Sequence, residues 1–272
     1  METSDIDLSK LKIGTSGYYF PDWVGSFYPP RLAKRDYLTF YANEFDVVEV
    51  NASYYRIPSP KMMERMAAVT PSHFRFVVKA HQSFTHQMSR NPKNVQDFFV
   101  GIDPLKQAGK LDGLLFQFPF SVKNTKPNRD HLRFIRDQFP NHNLWFEFRH
   151  NSWNQPSVFE LLRSLGVGYC VVDEPALPGL MPPVVHQTST QGYVRFHGRN
   201  KETWWDGDAH TRYNWEYSSS ELETWMESLK ELIQGTQSTY LFFNNCYMGR
   251  AVKGARLLKK LLGLQTTLEL GF

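Results

Sequence analysis

Two cysteines in 272 residues, Cys170 and Cys246, leave this chain almost nothing to crosslink. They lie far apart and neither belongs to a C-x-x-C pair, which excludes a disulfide scaffold and predicts two reduced thiols in a cytoplasmic protein. An apolar run of about 18 residues is also missing, so no membrane-spanning helix is expected. Met1 to Lys10 are polar and acidic rather than basic and then apolar, so no secretory signal is expected either. The net charge of +4 comes without any unbroken block of Lys and Arg of the kind a nucleic-acid tail shows. Phosphate loops, dinucleotide fingerprints and nucleophile elbows are absent, and Gly14-x-x-Gly17 alone falls short of a phosphate-binding motif. No H-x-x-x-H or H-E-x-x-H spacing offers a metal site, and nothing points to a particular cofactor.

What the chain does have is aromatic and apolar residues in ordered runs. Apolar residues make up 41% and aromatics 15%, enough for a large core with rings left over for a ligand surface. Eight runs rich in β-branched and aromatic residues read as strands: residues 11–14, 47–51, 74–80, 113–118, 144–148, 168–172, 193–197 and 239–244. Several are almost wholly apolar, as in Tyr169-Cys170-Val171-Val172, which fits strands covered on both faces and paired in parallel.

Helical stretches with readable ends lie between them. Ser59 precedes Pro60 ahead of residues 61–69, and Ser218 with Glu221 makes a capping box before 222–233, with Gly235 near the end. Residues 32–45, 92–108, 128–139, 156–165 and 251–262 complete the set, with Gly166 and Gly263 as stops. Eight alternating units predict an α/β fold, a single (β/α)8 barrel of the triosephosphate-isomerase type spanning residues 1–272 as one domain. Two units depart from the ideal. The sixth crossover, 175–191, carries four prolines and no helical period, and the loop 198–217 after strand seven holds Trp204, Trp205, Tyr213, Trp215 and Tyr217.

Barrel sites sit at the carboxyl ends of the strands, and polar residues crowd there. Thr15 and Ser16 follow strand one; Glu49 and Asn51 end strand two, two residues apart and so on one side of it. Lys79 with His81, Glu147 with Arg149, and Arg195 with His197 repeat that spacing on strands three, five and seven. Gln117, Asp173 and Asn244 end strands four, six and eight. A lone strand-end charge is usually a solvated rim residue or half of an ion pair. Charges inside apolar strands must nevertheless find partners, which predicts one hydrogen-bonded cluster of Glu49, Lys79, Glu147, Arg149, Arg195 and His197.

In that cluster Glu49, Glu147, Lys79 and His197 are the candidate catalytic groups, moving protons if burial shifts their pKa values. Thr15, Ser16, Asn51, Gln117, Arg149, Asp173, Arg195, Arg199 and Asn244 are the candidate binding groups. The guanidinium forks suit a small anionic or phosphorylated ligand, with backbone N–H groups of residues 15–17 as a further cradle. The structural alternative pairs Glu49 and Glu147 with the same cations. A Schiff-base role for Lys79 would require strong desolvation.

At these strand ends the sequence resembles the YecE-like family, also called domain of unknown function 72. The resemblance runs almost the full length. It rests on Gly14-Thr15-Ser16-Gly17-Tyr18 with Trp23, on Val48 to Pro58, on Phe76 to Lys79 followed by Thr85-His86, and on Leu115-Phe116-Gln117-Phe118-Pro119. It continues through Glu147-Phe148-Arg149-His150 with Trp153, Val194 to Arg199, and Phe242-Phe243-Asn244-Asn245. Tyr54 and Arg56, inside the second of these motifs, join the candidate binding residues. The resemblance implies a triosephosphate-isomerase-type barrel and supplies no activity. Two spots depart from the family pattern: Tyr18-Tyr19, where Trp is common, and Ala52-Ser53, where Thr-Phe is frequent.

Three functions fit the residues. One is an enzyme using acid/base chemistry on a small anionic or phosphorylated substrate at the barrel mouth. Another is a nucleic-acid binder or phosphodiester-processing barrel whose aromatic loop stacks bases. The third is a non-catalytic ligand or partner binder. Barrel glycosidases of the commonest clan place carboxylates after strands four and seven, where this sequence has Gln117 and His197.

Overall fold

Eight strands alternate with helices along the computed structural model, which describes residues 7–264. The strands are β1 (Leu11–Thr15), β2 (Val47–Val50), β3 (Arg75–Lys79), β4 (Leu111–Gln117), β5 (Leu144–Glu147), β6 (Gly168–Asp173), β7 (Gln191–Phe196) and β8 (Ser238–Phe243). All neighbouring pairs are parallel, in the order β1-β8-β7-β6-β5-β4-β3-β2, and the sheet curls into a nearly closed barrel wrapped by helices. Both faces are covered, which is why the strands read as apolar runs. No helix of the described residues is long and apolar enough to cross a membrane.

Alternation along each strand stacks the barrel interior in layers. The lower layer is aromatic. The Trp145 ring lies 4.9 Å from that of Tyr193 and 5.1 Å from that of Tyr240, whose hydroxyl donates to Asp112 at 2.7 Å. Gly113 and Gly168 on the flanking strands give the indole its room, since a Cβ at either would stand 2.4 Å from it. Two residues on, the same strands carry Glu147, Arg195 and Phe242, so charge is stacked directly upon the aromatic floor.

The two ends of the sheet meet along a seam between β1 and β2. Among the described residues one isolated bridge, Ser16 opposite Glu49, joins them. Below it the hydroxyl of buried Tyr41 takes the place of the ladder. It accepts from the Thr15 N–H at 2.9 Å and donates to the Val47 carbonyl at 3.1 Å. Gly14 lets the strands approach there, because a Cβ would meet Val47 O at 2.3 Å. Outside the seam, Arg256 from the helix Arg250–Leu261 grips the Glu44 carboxylate through two 2.7 Å bonds, and Lys259 donates to the Glu44 carbonyl at 2.7 Å. Replacing Tyr41 by phenylalanine strands the Thr15 amide and the Val47 carbonyl, and is expected to cost about 1–3 kcal/mol of stability. Urea unfolding reads this; an unchanged midpoint would show that the seam does not depend on the hydroxyl.

Several helix boundaries differ from the pattern-based ones. The stretch expected over 32–45 is helical only at Lys34–Asp36 and Tyr37–Tyr41. Pro29 to Leu32 close a turn and Ala33 is extended, which delays the entry, and Asn43 and Glu44 bond back three residues rather than four, tightening the exit. The single helix expected over 222–233 is two, Ser219–Glu223 and Met226–Gly235, with Trp225 at the break donating its indole N–H to Asp173 at 2.9 Å. Thr125 caps a helix starting at Lys126, two residues before the expected 128. The sixth crossover, residues 174–190, is irregular as expected, and the aromatic loop after β7 contains one short helix, Ala209–Arg212.

Candidate active site at the barrel mouth

Glu49, Glu147 and Arg195 project from β2, β5 and β7 into the same layer, and each is at most 1% exposed. Both terminal nitrogens of Arg195 are engaged, while its buried Nε has no hydrogen-bond partner. Nη1 donates to Glu147 Oε2 at 2.6 Å; Nη2 donates to Glu49 Oε1 at 2.7 Å, Asn244 Oδ1 at 3.1 Å and Ser16 Oγ at 3.3 Å. Tyr193, two residues earlier on β7, donates to Glu49 Oε2 at 2.6 Å. Arg149 donates Nε to Glu147 Oε1 at 2.5 Å and Nη1 to Glu174 Oε2 at 3.1 Å. Burial alone would raise the Glu147 carboxyl, but Arg149 and Arg195 together hold it well below the usual carboxylate range. Glu147 is therefore a fixed anion, and neither it nor Glu49 lines either of the two cavities at the mouth.

His197 completes this layer. Its Nδ1 stands 3.0 Å from Asn244 Nδ2, and Asn244 Oδ1 is already taken by Arg195. The amide must then donate to Nδ1, which places the ring proton on Nε2, 3.2 Å from Glu147 Oε1 but too oblique for a good hydrogen bond. Burial, followed by the Arg149 charge, pushes His197 well below the ordinary imidazole value and keeps it neutral.

Lys79 departs from the expected cluster. It reaches up rather than inward, donating to Gln117 Oε1 at 2.9 Å with the Tyr54 ring 4.5 Å from Nζ. No carboxylate pairs with it among the described residues. It lines a cavity of about 670 Å³ together with Tyr54, His86, Gln117, Arg149, Trp204 and Tyr213. Protein surrounds the side chain, yet the cavity leaves it partly exposed. Burial and then the Arg195 charge push its ammonium down to about 7, with Glu147 and Glu49 offsetting only part. The same surroundings act on its neighbours. Burial, Lys79 and Arg149 lower His86 to about 4, and burial lifts Glu174 to about 7 against the pull of Arg149. Three groups with displaced titrations thus ring one cavity or its Arg149 wall.

A second cavity, about 430 Å³ and mostly apolar, lies beside the first behind Tyr55 and Tyr213, residues common to both. Ser16, Asn51 and Asn244 give it a polar edge, and Tyr18, Tyr19, Phe20, Met62 and Met66 its apolar wall. The buried Asn51 Oδ1 has no hydrogen-bond partner.

Other sequence candidates take different places. Thr15 belongs to the seam and lines neither cavity. Asp173 pairs with both arms of Arg199 at 2.8 Å and with Trp225, away from the cavities. Arg56 is exposed and lines neither cavity. The backbone cradle expected at residues 15–17 is spent, since Ser16 N–H donates to Phe243 O at 2.9 Å and Gly17 N–H to Thr15 O at 3.1 Å. The anion contact expected at Arg195 is likewise closed, because its terminal nitrogens already serve two carboxylates.

Sequence reading passed over His86, Glu174, Tyr193 and Tyr55 as site residues. A signal existed for three of them: His86 ends the Thr85-His86 pair, Glu174 directly follows Asp173, and Tyr193 shares its strand face with Arg195. The aromatic loop turns Trp204 and Tyr213 inward and leaves Trp205 exposed. Trp204 is 3% exposed, lies 5.9 Å from the Arg149 guanidinium and meets Tyr213 edge-on at 5.8 Å, so both rings roof the larger cavity. Among the described residues no three His, Cys, Asp or Glu side chains converge as a metal would require.

The comparisons with known proteins agree on one group. The family model described as protein of unknown function DUF72 matches residues 12–270. The UPF0759 protein YunF of Bacillus subtilis (strain 168) is 33% identical, the match covering 94% of this chain and 95% of that protein. A solved DUF72 family protein of Thermotoga maritima is 39% identical with a TM-score of 0.87, covering 93% of this chain and 99% of the other. One from Enterococcus faecalis V583 is 26% identical with a TM-score of 0.84, covering 94% and 96%.

Proposed function

This chain belongs to the DUF72 family, and we propose that it is an enzyme that binds a small polar, anionic substrate in the larger mouth cavity and moves a proton with Lys79 as the base. The observation that carries this is an amine without a carboxylate partner, pushed down to about 7, on the wall of a cavity of about 670 Å³. A base poised near the working pH combines the right protonation state with a useful driving force. Arg149 lines the same cavity and supplies the positive charge for an anionic group. Glu49, Glu147 and Arg195 act beneath it as a buried lattice of net charge −1, balanced by Arg149, that sets the local potential and positions Arg149. His197 and Asn244 fix the orientation of that lattice. Trp204 and Tyr213 limit access of bulk water.

Incubation in D2O with a panel of small carboxylates, phosphates and carbonyl compounds tests the reading. Carbon-bound deuterium in at least one compound, followed by mass spectrometry and lost in Lys79→Met, is the expected result. Absence of exchange across the panel, or exchange unaffected by Lys79→Met, would contradict it.

A further inference from the structure

We infer that Lys79 is a nucleophile for a carbonyl substrate, held in the larger cavity as its imine, and that the substrate carries a carboxylate read by Arg149. This rests on the proposed function and narrows its substrate to an aldehyde or ketone beside an anionic group, of which a 2-oxo acid is the simplest.

The comparison among the three buried-type lysines of the fold carries the argument. Lys110 gives its ammonium to Ala67 O at 2.6 Å, Thr70 O at 2.7 Å and Thr70 Oγ1 at 3.0 Å, so its hydrogens are all committed. Lys259 donates to Glu44 O at 2.7 Å, lies over the Phe45 ring and lines neither mouth cavity. Of the three, Lys79 is the one that lines a mouth cavity, and its hydrogen-bond acceptor is the Gln117 side-chain carbonyl. That acceptor takes one hydrogen and leaves the nitrogen lone pair free to face the void. On the same wall Arg149 keeps a planar guanidinium whose Nε and Nη1 are held by Glu147 and Glu174, so the fork is fixed in orientation.

The step balances without any further reactant. The Nζ lone pair adds to the carbonyl carbon and the C–O π pair moves to oxygen, giving a carbinolamine. The nitrogen then forms the C–N double bond as oxygen departs, and the two amine hydrogens leave with it, through solvent, as one water. When the imine takes a proton from water it becomes a cation, and the Tyr54 face that now lies 4.5 Å from Nζ is placed to receive it. Displacement of the ammonium to about 7 supports the same role. At neutral pH it leaves roughly half of the amine unprotonated, against less than about one part in a thousand for an ordinary lysine.

Reductive trapping decides the matter. The full chain is incubated at neutral pH with pyruvate and sodium cyanoborohydride, and the modified lysine is located by peptide mass spectrometry. Lys79 is expected to carry the carboxyethyl group at least about a hundredfold faster than exposed lysines, the ratio set by their neutral fractions. Lys79→Arg, which retains the charge, is expected to lose that modification while unfolding at a similar temperature. Propanal, which lacks a carboxylate, is expected to label Lys79 more slowly than pyruvate does. Modification spread over surface lysines, with Lys79 no faster than the rest, overturns the imine even if deuterium exchange still requires Lys79; the general-base reading then stands without it. Equal labelling by propanal and pyruvate overturns the carboxylate contact with Arg149.

Discussion

Replacing Arg195 by methionine is expected to lower the unfolding free energy by about 3–5 kcal/mol. Arg195 is 1% exposed and stands between two fully buried carboxylates, at 2.7 Å from Glu49 and 2.6 Å from Glu147. Burying the trio in the first place is close to neutral, because desolvation offsets attraction. Removing the cation alone leaves Glu49 uncompensated except for the Tyr193 hydroxyl, and leaves Glu147 dependent on Arg149. The expected loss is a large part of the 5–15 kcal/mol typical of a whole domain. Urea denaturation measures it as a lower midpoint at unchanged slope. Adding Glu49→Gln to the same chain is expected to restore part of the loss, since it withdraws one of the opposing charges. A loss below about 1 kcal/mol would mean that water or rearrangement solvates the carboxylates, and the buried lattice would not be what holds Arg149 in place.

Lys79→Met is expected to act in the opposite direction on stability while abolishing the chemistry. The amine titrates at about 7 in the folded chain against an ordinary 10.5. Between those values the unfolded chain binds more protons than the folded one, so stability rises with pH across that window. Below pH 7 the cost of holding a charged amine in the desolvated cavity wall is present in full. Methionine removes that cost, so the variant is expected to be more stable than the parent by about 2–4 kcal/mol in the acid limb, after allowing for water in the cavity. The advantage fades as pH rises toward 10.5. Glu174 contributes a slope of the other sign, lost as pH rises through about 7, but it is common to both proteins and cancels in the difference. Melting temperatures of both chains on either side of pH 7 and near the ordinary lysine value check this. A difference independent of pH would place the titration elsewhere. A gain in stability with loss of function is the usual signature of a strained active group.

The barrel was legible because both faces of each strand are covered, so apolar runs and capped helices alternate without ambiguity. Residues such as Tyr169 to Val172 are buried without exception and could be read directly. The polar layer was legible for a related reason. Glu49, Glu147 and Arg195 sit inside apolar strands, and a charge there must be paired. The direction in which each side chain turns was not legible. Lys79 and Glu147 occupy equivalent strand-end positions, yet one pairs inside the barrel and the other leans to Gln117 across the neighbouring strand. Spacing along a strand assigns a face and leaves open the choice among partners on adjacent strands. The same limit applies to Arg195, whose fork read as a free anion receptor because the sequence carries no measure of whether it is already filled. The stretch 32–45 misled for a local reason, its helical pattern being cut short by the turn at Pro29 to Leu32, the extended Ala33 and the tightened exit at Asn43 and Glu44.

The Tyr41 seam also bears on how the molecule yields under thermal motion. Seven of the strand junctions are backbone ladders, whereas β1 and β2 are held by one bridge and one phenol. Mechanical compliance is thereby concentrated at a single line of the ring, and local opening draws on the weakest cooperative unit. That line ends at Ser16, Val50 and Asn51, all of which border the apolar cavity. Amide hydrogen exchange at Thr15 and Glu49, compared with the ladder amides of β7 and β8, reads the difference directly: faster exchange at the seam marks a hinge, and equal protection marks a rigid ring. A hinge there gives the apolar chamber a wall that can part without disturbing the charged lattice beside it.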